Sequence, residues 1–210
     1  MRVTVIGAGH MGSAFVQQLS RAGHEVSVSS RDGAKAAAVA AANPGATAVP
    51  LRGAAAQADA VVLAVGYGDA AAALDAVGGL QGKVVVDISN PLTADYMGLT
   101  IGHTTSAAEE IAKAVPGAEV VKAFNTVFAQ VLAEGADFGA GRKASVFVAA
   151  DSERAKRTAK ALAESIGFDV VDAGGLKNAR YLEPLAGLNI YLGYGAGLGT
   201  AIAPTWIRRG

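Results

Sequence analysis

Short apolar, β-branched runs alternate along most of the chain with alanine-rich stretches of helical spacing. The apolar runs predict strands at residues 3–6, 25–29, 46–49, 60–65, 83–88, 119–123, 145–149 and 168–171. The helical spacing predicts helices at residues 11–22, 33–42, 52–57, 69–77, 106–115 and 152–166. Strands that alternate with helices in this way form right-handed βαβ units. The pattern therefore predicts an α/β fold around a mainly parallel, doubly wound sheet.

The C-terminal part has a different pattern. Residues 176–203 are largely apolar but contain five glycines, at positions 187, 193, 195, 197 and 199. Asn189, three tyrosines and the repeated glycines make this a poor membrane span, although its length would suffice. We expect instead a buried helix that packs through its glycines against the rest of the chain or against a second subunit.

A glycine motif follows the first predicted strand. Gly7, Gly9, His10, Met11 and Gly12 fall within the hexapeptide GAGHMG, which matches GxGxxG and opens a predicted helix. In this setting the first glycine permits a tight turn, the second lets a pyrophosphate approach the backbone, and the third lets the helix pack on the strand. The N–H groups of the helix N-terminus would bind the phosphates. We predict a Rossmann dinucleotide-binding domain over residues 1–140. A smaller part, residues 141–210, would complete the cleft or continue the same domain.

The end of the second strand indicates which dinucleotide binds. NAD enzymes usually place a carboxylate there for the ribose 2′-hydroxyl. This chain has Ser29, Ser30 and Arg31, with Lys35 one helical turn later, and these side chains suit a 2′-phosphate. Asp32 is the alternative, because a shift of one residue would let it serve the hydroxyl. The pattern favours NADP(H).

Two further loops lie where cofactors bind in open α/β sheets, at the carboxyl ends of strands. Val65, Gly66 and Tyr67 follow the fourth strand and are expected to border the cofactor. Asn90 and Pro91 follow the fifth strand and are expected near the nicotinamide. Ordinary turns are the alternative at both loops.

Composition narrows the range of functions. The 18 basic and 18 acidic residues cancel without a basic patch, so we expect neither a nucleic-acid nor a membrane partner. The absence of cysteine fits a reducing compartment and a cytoplasmic protein. His10, His24 and His103 lack metal-ligand spacing, and no metal site is expected. Arg208 and Arg209 are expected to form a solvated tail.

Several segments together resemble a known family. Besides GAGHMG and the Ser-Ser-Arg strand end, they are VVKAFNT at 120–126, DAGGLKNAR at 172–180, LEPL at 182–185 and the glycine-punctuated tail. The chain resembles, nearly end to end, the coenzyme F420-dependent NADP oxidoreductase family. The cofactor domain of that family is also similar to that of the STEAP metalloreductases.

The resemblance implies a homodimer in which a hydride passes between the nicotinamide and a second flat ring. In the family that ring is a deazaflavin, held near the positions of Phe124, Asn125 and Thr126 and near the C-terminal segment. This chain differs from the family in two places. Gly-Tyr-Gly replaces a proline-aromatic pair after Val65, and Asn125 stands where a histidine is familiar. The acceptor is therefore left open between coenzyme F420 and a flavin.

The sequence shows no set of catalytic side chains, and hydride transfer between apposed rings needs few of them. Reduction of an imine would also need a proton donor, for which Tyr181, Tyr191 and Tyr194 are candidates, although core or cleft-lining roles are expected for them. The opening residues also resemble pyrroline-5-carboxylate reductases, which makes an imine-type reductase the first alternative. The predicted strand–helix–strand pattern at 145–171 counts against it. The second alternative is a redox sensor that binds NADP(H) without turnover.

Overall fold

A computed structural model of the chain describes residues 1–207, so Arg208 and Arg209 lie outside the described residues. One sheet of eight strands has the order β3-β2-β1-β4-β5-β6-β7-β8. The strands are β1 (Arg2–Ile6), β2 (Glu25–Ser29), β3 (Ala46–Ala48), β4 (Ala60–Leu63), β5 (Val84–Asp87), β6 (Glu119–Lys122), β7 (Ser145–Ala150) and β8 (Asp169–Asp172). All neighbours pair in parallel except β6 and β7, which are antiparallel.

Helices cover both faces of the sheet, because alternate strand residues point to opposite faces. Val3 and Val5 of β1 belong to one apolar core, and Ile6 belongs to the other. The helices are α1 (His10–Arg21), α2 (Gly33–Ala41), α3 (Tyr67–Val77), α4 (Ala107–Ala114), α5 (Ala129–Glu134), α6 (Glu153–Ser165) and α7 (Ala179–Ile190). Residues from α1, α2, α5 and α6 pack into the first core, and residues from α3 and α4 into the second. The predicted doubly wound α/β class is confirmed.

One predicted helix is absent, and one observed helix was not predicted. Residues 52–57 form successive turns instead of a helix. Gly53 has a φ of +78°, which a right-handed helix does not allow. Helix α5 was not anticipated, because its six residues are too few to show a helical period.

The C-terminal part extends the sheet. Strands β7 and β8 continue it, and α7 then leads into a π turn over Tyr191–Gly195. The close packing expected of its glycines is present at Gly193, where a Cβ would lie 2.7 Å from a ring carbon of Phe128. The predicted burial holds for one face of α7 only, since Tyr181 and Leu188 are exposed, as is Tyr191 at the start of the π turn. Among residues 1–207, no helix is both long and apolar enough to cross a membrane.

Candidate functional site

The glycine motif forms the turn between β1 and α1. Gly7 has a φ of +119°, and its N–H donates to the carbonyl of Ser29 at 2.8 Å. A Cβ on Gly12 would lie 1.9 Å from the Gly7 carbonyl oxygen, so the helix lies directly against the turn. Gly9 begins the helix without a side-chain cap, and the position of its Cβ is open space. The uncapped N–H groups and this space suit a pyrophosphate.

A cavity of about 390 Å³ lies beside this turn. Ser30, Arg31 and Lys35 line one side of it, together with Gly7 and Gly9. Its apolar lining comes from Leu51, Ala72, Ala73 and Ala76. The cations and the apolar lining suit a phosphorylated ribose and an adenine ring.

Two residues at the end of β2 have roles in holding the backbone that the sequence pattern does not predict. Ser29 is completely buried and does not line the cavity; its backbone carbonyl instead holds the glycine turn. Asp32 caps helix α2, with Oδ1 accepting from the N–H groups of Ala34 at 3.1 Å and Lys35 at 3.2 Å. One carboxylate oxygen of Asp32 is thus engaged in the fold, but Asp32 also lines the first cavity, so the alternative in which it binds a ribose hydroxyl stands.

Arg31 is paired with a carboxylate that the sequence analysis did not single out. Its two terminal nitrogens lie 3.0 and 3.3 Å from the carboxylate oxygens of Asp69, in the first turn of α3. Asp69 also lines the cavity. The one sign of this carboxylate in the sequence was the position of Asp69, three residues after Gly66.

A second cavity, of about 500 Å³, adjoins the first at Val65 and Gly66, which line both. His10, Met11 and Asn90, which the sequence predicts as cofactor-binding residues, also line it. Tyr67 and Pro91 line neither cavity. Tyr67 packs against the apolar core formed with α3 and α4, and the Pro91 carbonyl accepts hydrogen bonds from Thr100. The C-terminal part completes the wall with Ala186, Asn189, Ile190 and Tyr194.

Reciprocal amide contacts shape this second cavity. Asn125 Nδ2 donates to Asn90 Oδ1 at 3.0 Å and to the Leu182 carbonyl at 2.9 Å, and Asn90 Nδ2 donates to the Asn125 carbonyl at 2.8 Å. Asn125 Oδ1 and Thr126 Oγ1 are buried without a hydrogen-bond partner in the described chain. Unpaired buried polar atoms are costly, so these two are suited to contact a polar ligand edge.

The predicted role of Phe124 in a ring pocket is not supported by its position. Its side chain is fully buried and packs edge-on against Phe15, with ring centroids 5.0 Å apart, and against Phe168 at 6.1 Å. Its φ of +59° is rare for a bulky residue. The chain turns sharply there, so the next two residues reach the cleft while the ring stays in the core.

A buried charged cluster supports the loop that carries Asn90. Lys122 Nζ lies 2.6 Å from Asp87 Oδ2 and 2.9 Å from Glu183 Oε1, and donates to the Ser89 carbonyl at 2.8 Å. The three charged side chains are at most 1% exposed. The Glu183 carboxylate also accepts from the first N–H groups of α4. Sequence reasoning missed this cluster, although the charges of Asp87 and Lys122 at the ends of two apolar strands, β5 and β6, were visible.

The tyrosines differ in their positions. Tyr194 lines the cleft and packs edge-on against Phe128, with centroids 5.7 Å apart. Tyr181 and Tyr191 are exposed and do not line it, contrary to the expectation that they are core or cleft residues. Burial, followed by nearby carboxylates, raises the pKa of Tyr67, which therefore stays protonated at neutral pH.

Comparison with known proteins supports one family. The family model described as NADP oxidoreductase coenzyme F420-dependent matches residues 2–91. The F420-dependent NADP reductase of Methanothermobacter marburgensis is 32% identical over 214 residues, covering 91% of this chain and 92% of the relative. Rat metalloreductase STEAP3 is 29% identical over 185 residues, but the chain spans only 36% of that protein.

A solved structure agrees in fold and in length. The Arthrobacter sp. FB24 protein, described provisionally as an F420-dependent NADP reductase, superposes with a TM-score of 0.87 at 31% identity. The superposition covers 98% of this chain and 99% of that one. Both parts of the present chain, including the helix that closes the cleft, therefore have counterparts in the relative.

Proposed function

Because the chain belongs to the F420-dependent NADP reductase family, and so to the NADP-dependent oxidoreductases, we propose that its two adjoining cavities bind NADP(H) and a planar hydride acceptor. The observation that carries the proposal is their junction at Val65 and Gly66. A dinucleotide that runs from the first cavity, which Arg31 and Lys35 line together with Asp32 and Asp69, past the glycine turn would bring its nicotinamide into the second cavity.

The residues present fit the cofactor. Gly9 leaves the room that a Cβ would fill, and α1 offers uncapped N–H groups for the pyrophosphate. Arg31 and Lys35 would bind a 2′-phosphate, and Ser30 lies beside them. When bound, NADPH supplies a hydride. The chain positions the ring and excludes water from the cleft.

We propose coenzyme F420 or a flavin as the acceptor. Asn125 Oδ1 and Thr126 Oγ1 can hydrogen-bond the polar edge of such a ring, while Phe128 and Tyr194 offer apolar faces. An imine-type reduction would use Tyr194 as the proton donor within the cleft. Homodimerisation is part of the proposal, with the exposed Tyr181 and Leu188 on α7 and Tyr191 at the start of the π turn as the contact. A reducing cytoplasm suits a reductase without cysteine.

A turnover screen tests the acceptor. NADPH oxidation is followed at saturating NADPH with coenzyme F420, a flavin, a ferric chelate or a cyclic imine. We expect turnover with coenzyme F420 or flavin. Turnover with the imine alone would favour the alternative reductase, and tight NADPH binding without any turnover would favour a redox sensor.

The Arg31→Ala variant tests the choice of dinucleotide. Loss of a charge-assisted phosphate contact costs about 1.5–3 kcal/mol, so NADPH binding should weaken about 10- to 100-fold. NADH binding should change much less, since it has no 2′-phosphate. Calorimetry on both dinucleotides measures this, and an equal loss for the two would refute the assigned role of Arg31.

A further inference from the structure

The ion pair between Arg31 and Asp69 joins two walls of the first cavity. Arg31 follows β2, whereas Asp69 lies in the first turn of α3 after β4, and these two strands flank β1. The guanidinium contacts both carboxylate oxygens, at 3.0 and 3.3 Å. A ligand that enters this cavity must either break the contact or bind beside it.

The pair has little to do with stability. The Arg31 side chain is 78% exposed and the Asp69 side chain 51% exposed. Exposed ion pairs stabilise proteins by about 0–1 kcal/mol. Asp69 makes no other side-chain hydrogen bond within the described residues, and so, unlike the capping Asp32, it is not fixed by the backbone.

A 2′-phosphate and the Asp69 carboxylate would need the same guanidinium. Both are anions, and both suit its paired N–H donors. Asp69 already contacts both terminal nitrogens of Arg31. A phosphate that binds Arg31 must therefore displace the carboxylate or share the cation with it, and it experiences repulsion from the second anion.

We propose that Asp69 is a specificity-determining residue that competes with the 2′-phosphate for Arg31 and so lowers the preference for NADPH over NADH. This inference rests on the proposed binding of NADP(H) in the first cavity. The carboxylate occupies the phosphate-binding groups of Arg31 when no phosphate is present. Its removal frees the guanidinium and removes the repulsion.

The size of the effect follows from charge and screening. A dianionic phosphate about 6 Å from a carboxylate in water is repelled by roughly a tenfold factor in affinity, and salt reduces this. We expect Asp69→Asn to bind NADPH about three- to tenfold more tightly at low salt. NADH binding should change less than twofold, because its ribose carries no phosphate at this position.

The experiment measures Kd for NADPH, NADH and adenosine 2′-monophosphate by calorimetry, at low and at high salt. Asp75→Asn is the matched control, because it removes one exposed carboxylate from the same helix but lies outside the cavity lining. It should leave all three affinities within twofold. In an Arg31→Ala background, the part of the effect that comes from competition for the guanidinium should vanish, while the direct, salt-sensitive repulsion should remain. Asp69→Asn should therefore tighten NADPH binding less than it does with Arg31 present.

The outcomes separate the two proposals. If the wild-type protein binds no NADPH, the proposed function fails. If it binds NADPH but Asp69→Asn binds it equally or more weakly, only the competition is refuted, and Asp69 would instead hold Arg31 in its binding position. Equal tightening of NADPH and NADH would also refute it, because the effect would not depend on the phosphate.

Discussion

Replacing Lys122 by methionine tests how strongly the buried cluster holds the cleft together. The side chain would keep its length but lose the cation that lies 2.6 Å from Asp87 and 2.9 Å from Glu183. The two carboxylates would then be buried without a counter-charge. Removing one partner of a buried ion pair typically costs about 3–5 kcal/mol, a large share of an ordinary domain's stability of about 5–15 kcal/mol.

Urea denaturation provides the measurement, with Lys122→Met compared against the triple variant Lys122→Met, Asp87→Asn, Glu183→Gln. The single variant should lose about 3–5 kcal/mol, and the neutral triple variant should recover part of this, because no charge is left buried. A single variant less than about 1 kcal/mol below wild type, or a triple variant that is worse still, would refute the reasoning.

Two further predictions concern the glycine turn and the surface. Gly9→Ala should keep wild-type stability but weaken NADPH binding about tenfold or more, because its Cβ meets only open space where the pyrophosphate is expected. Gly12→Ala should also lower the melting temperature, because its Cβ would lie 1.9 Å from the Gly7 carbonyl oxygen. Equal melting temperatures for the two variants would contradict this. The Arg180 guanidinium, bonded to Glu109, lowers the pKa of that carboxyl, so its stabilisation is present at neutral pH and is lost as the pH falls through the lowered value. Glu109→Gln should thus cost about 1 kcal/mol near pH 7, and this cost should shrink as the pH falls below the ordinary range of a glutamate carboxyl, as measured by urea denaturation; a deficit that does not depend on pH would contradict it.

Much of the fold followed from local pattern. The predicted strands match the observed ones within a few residues, because buried parallel strands show continuous apolar runs. The reversal of β7 was not predictable in the same way. Strand direction depends on the path of residues 123–144, which includes the six-residue helix α5 and a left-handed backbone at Phe124 that no propensity indicates.

The sequence predicted those parts of the candidate site whose functional residues lie close together in one short motif. The glycine turn and Arg31 lie where expected, because their spacing along the chain fixes their place. The direction in which a side chain points was harder to predict from the sequence. Tyr67 and Phe124 follow strands as predicted but point into apolar cores. The cluster around Lys122 joins residues far apart in sequence, so only the folded chain shows it.

That cluster also constrains the order in which the protein can mature. Strands β1 to β6 contain Lys122 and Asp87, but the second carboxylate, Glu183, emerges from the ribosome some sixty residues later. Until then the lysine has only one of its two carboxylate partners, and the first turn of α4 lacks an acceptor. The nascent N-terminal half therefore stays incomplete at its core, and the cleft matures only when the last helix docks.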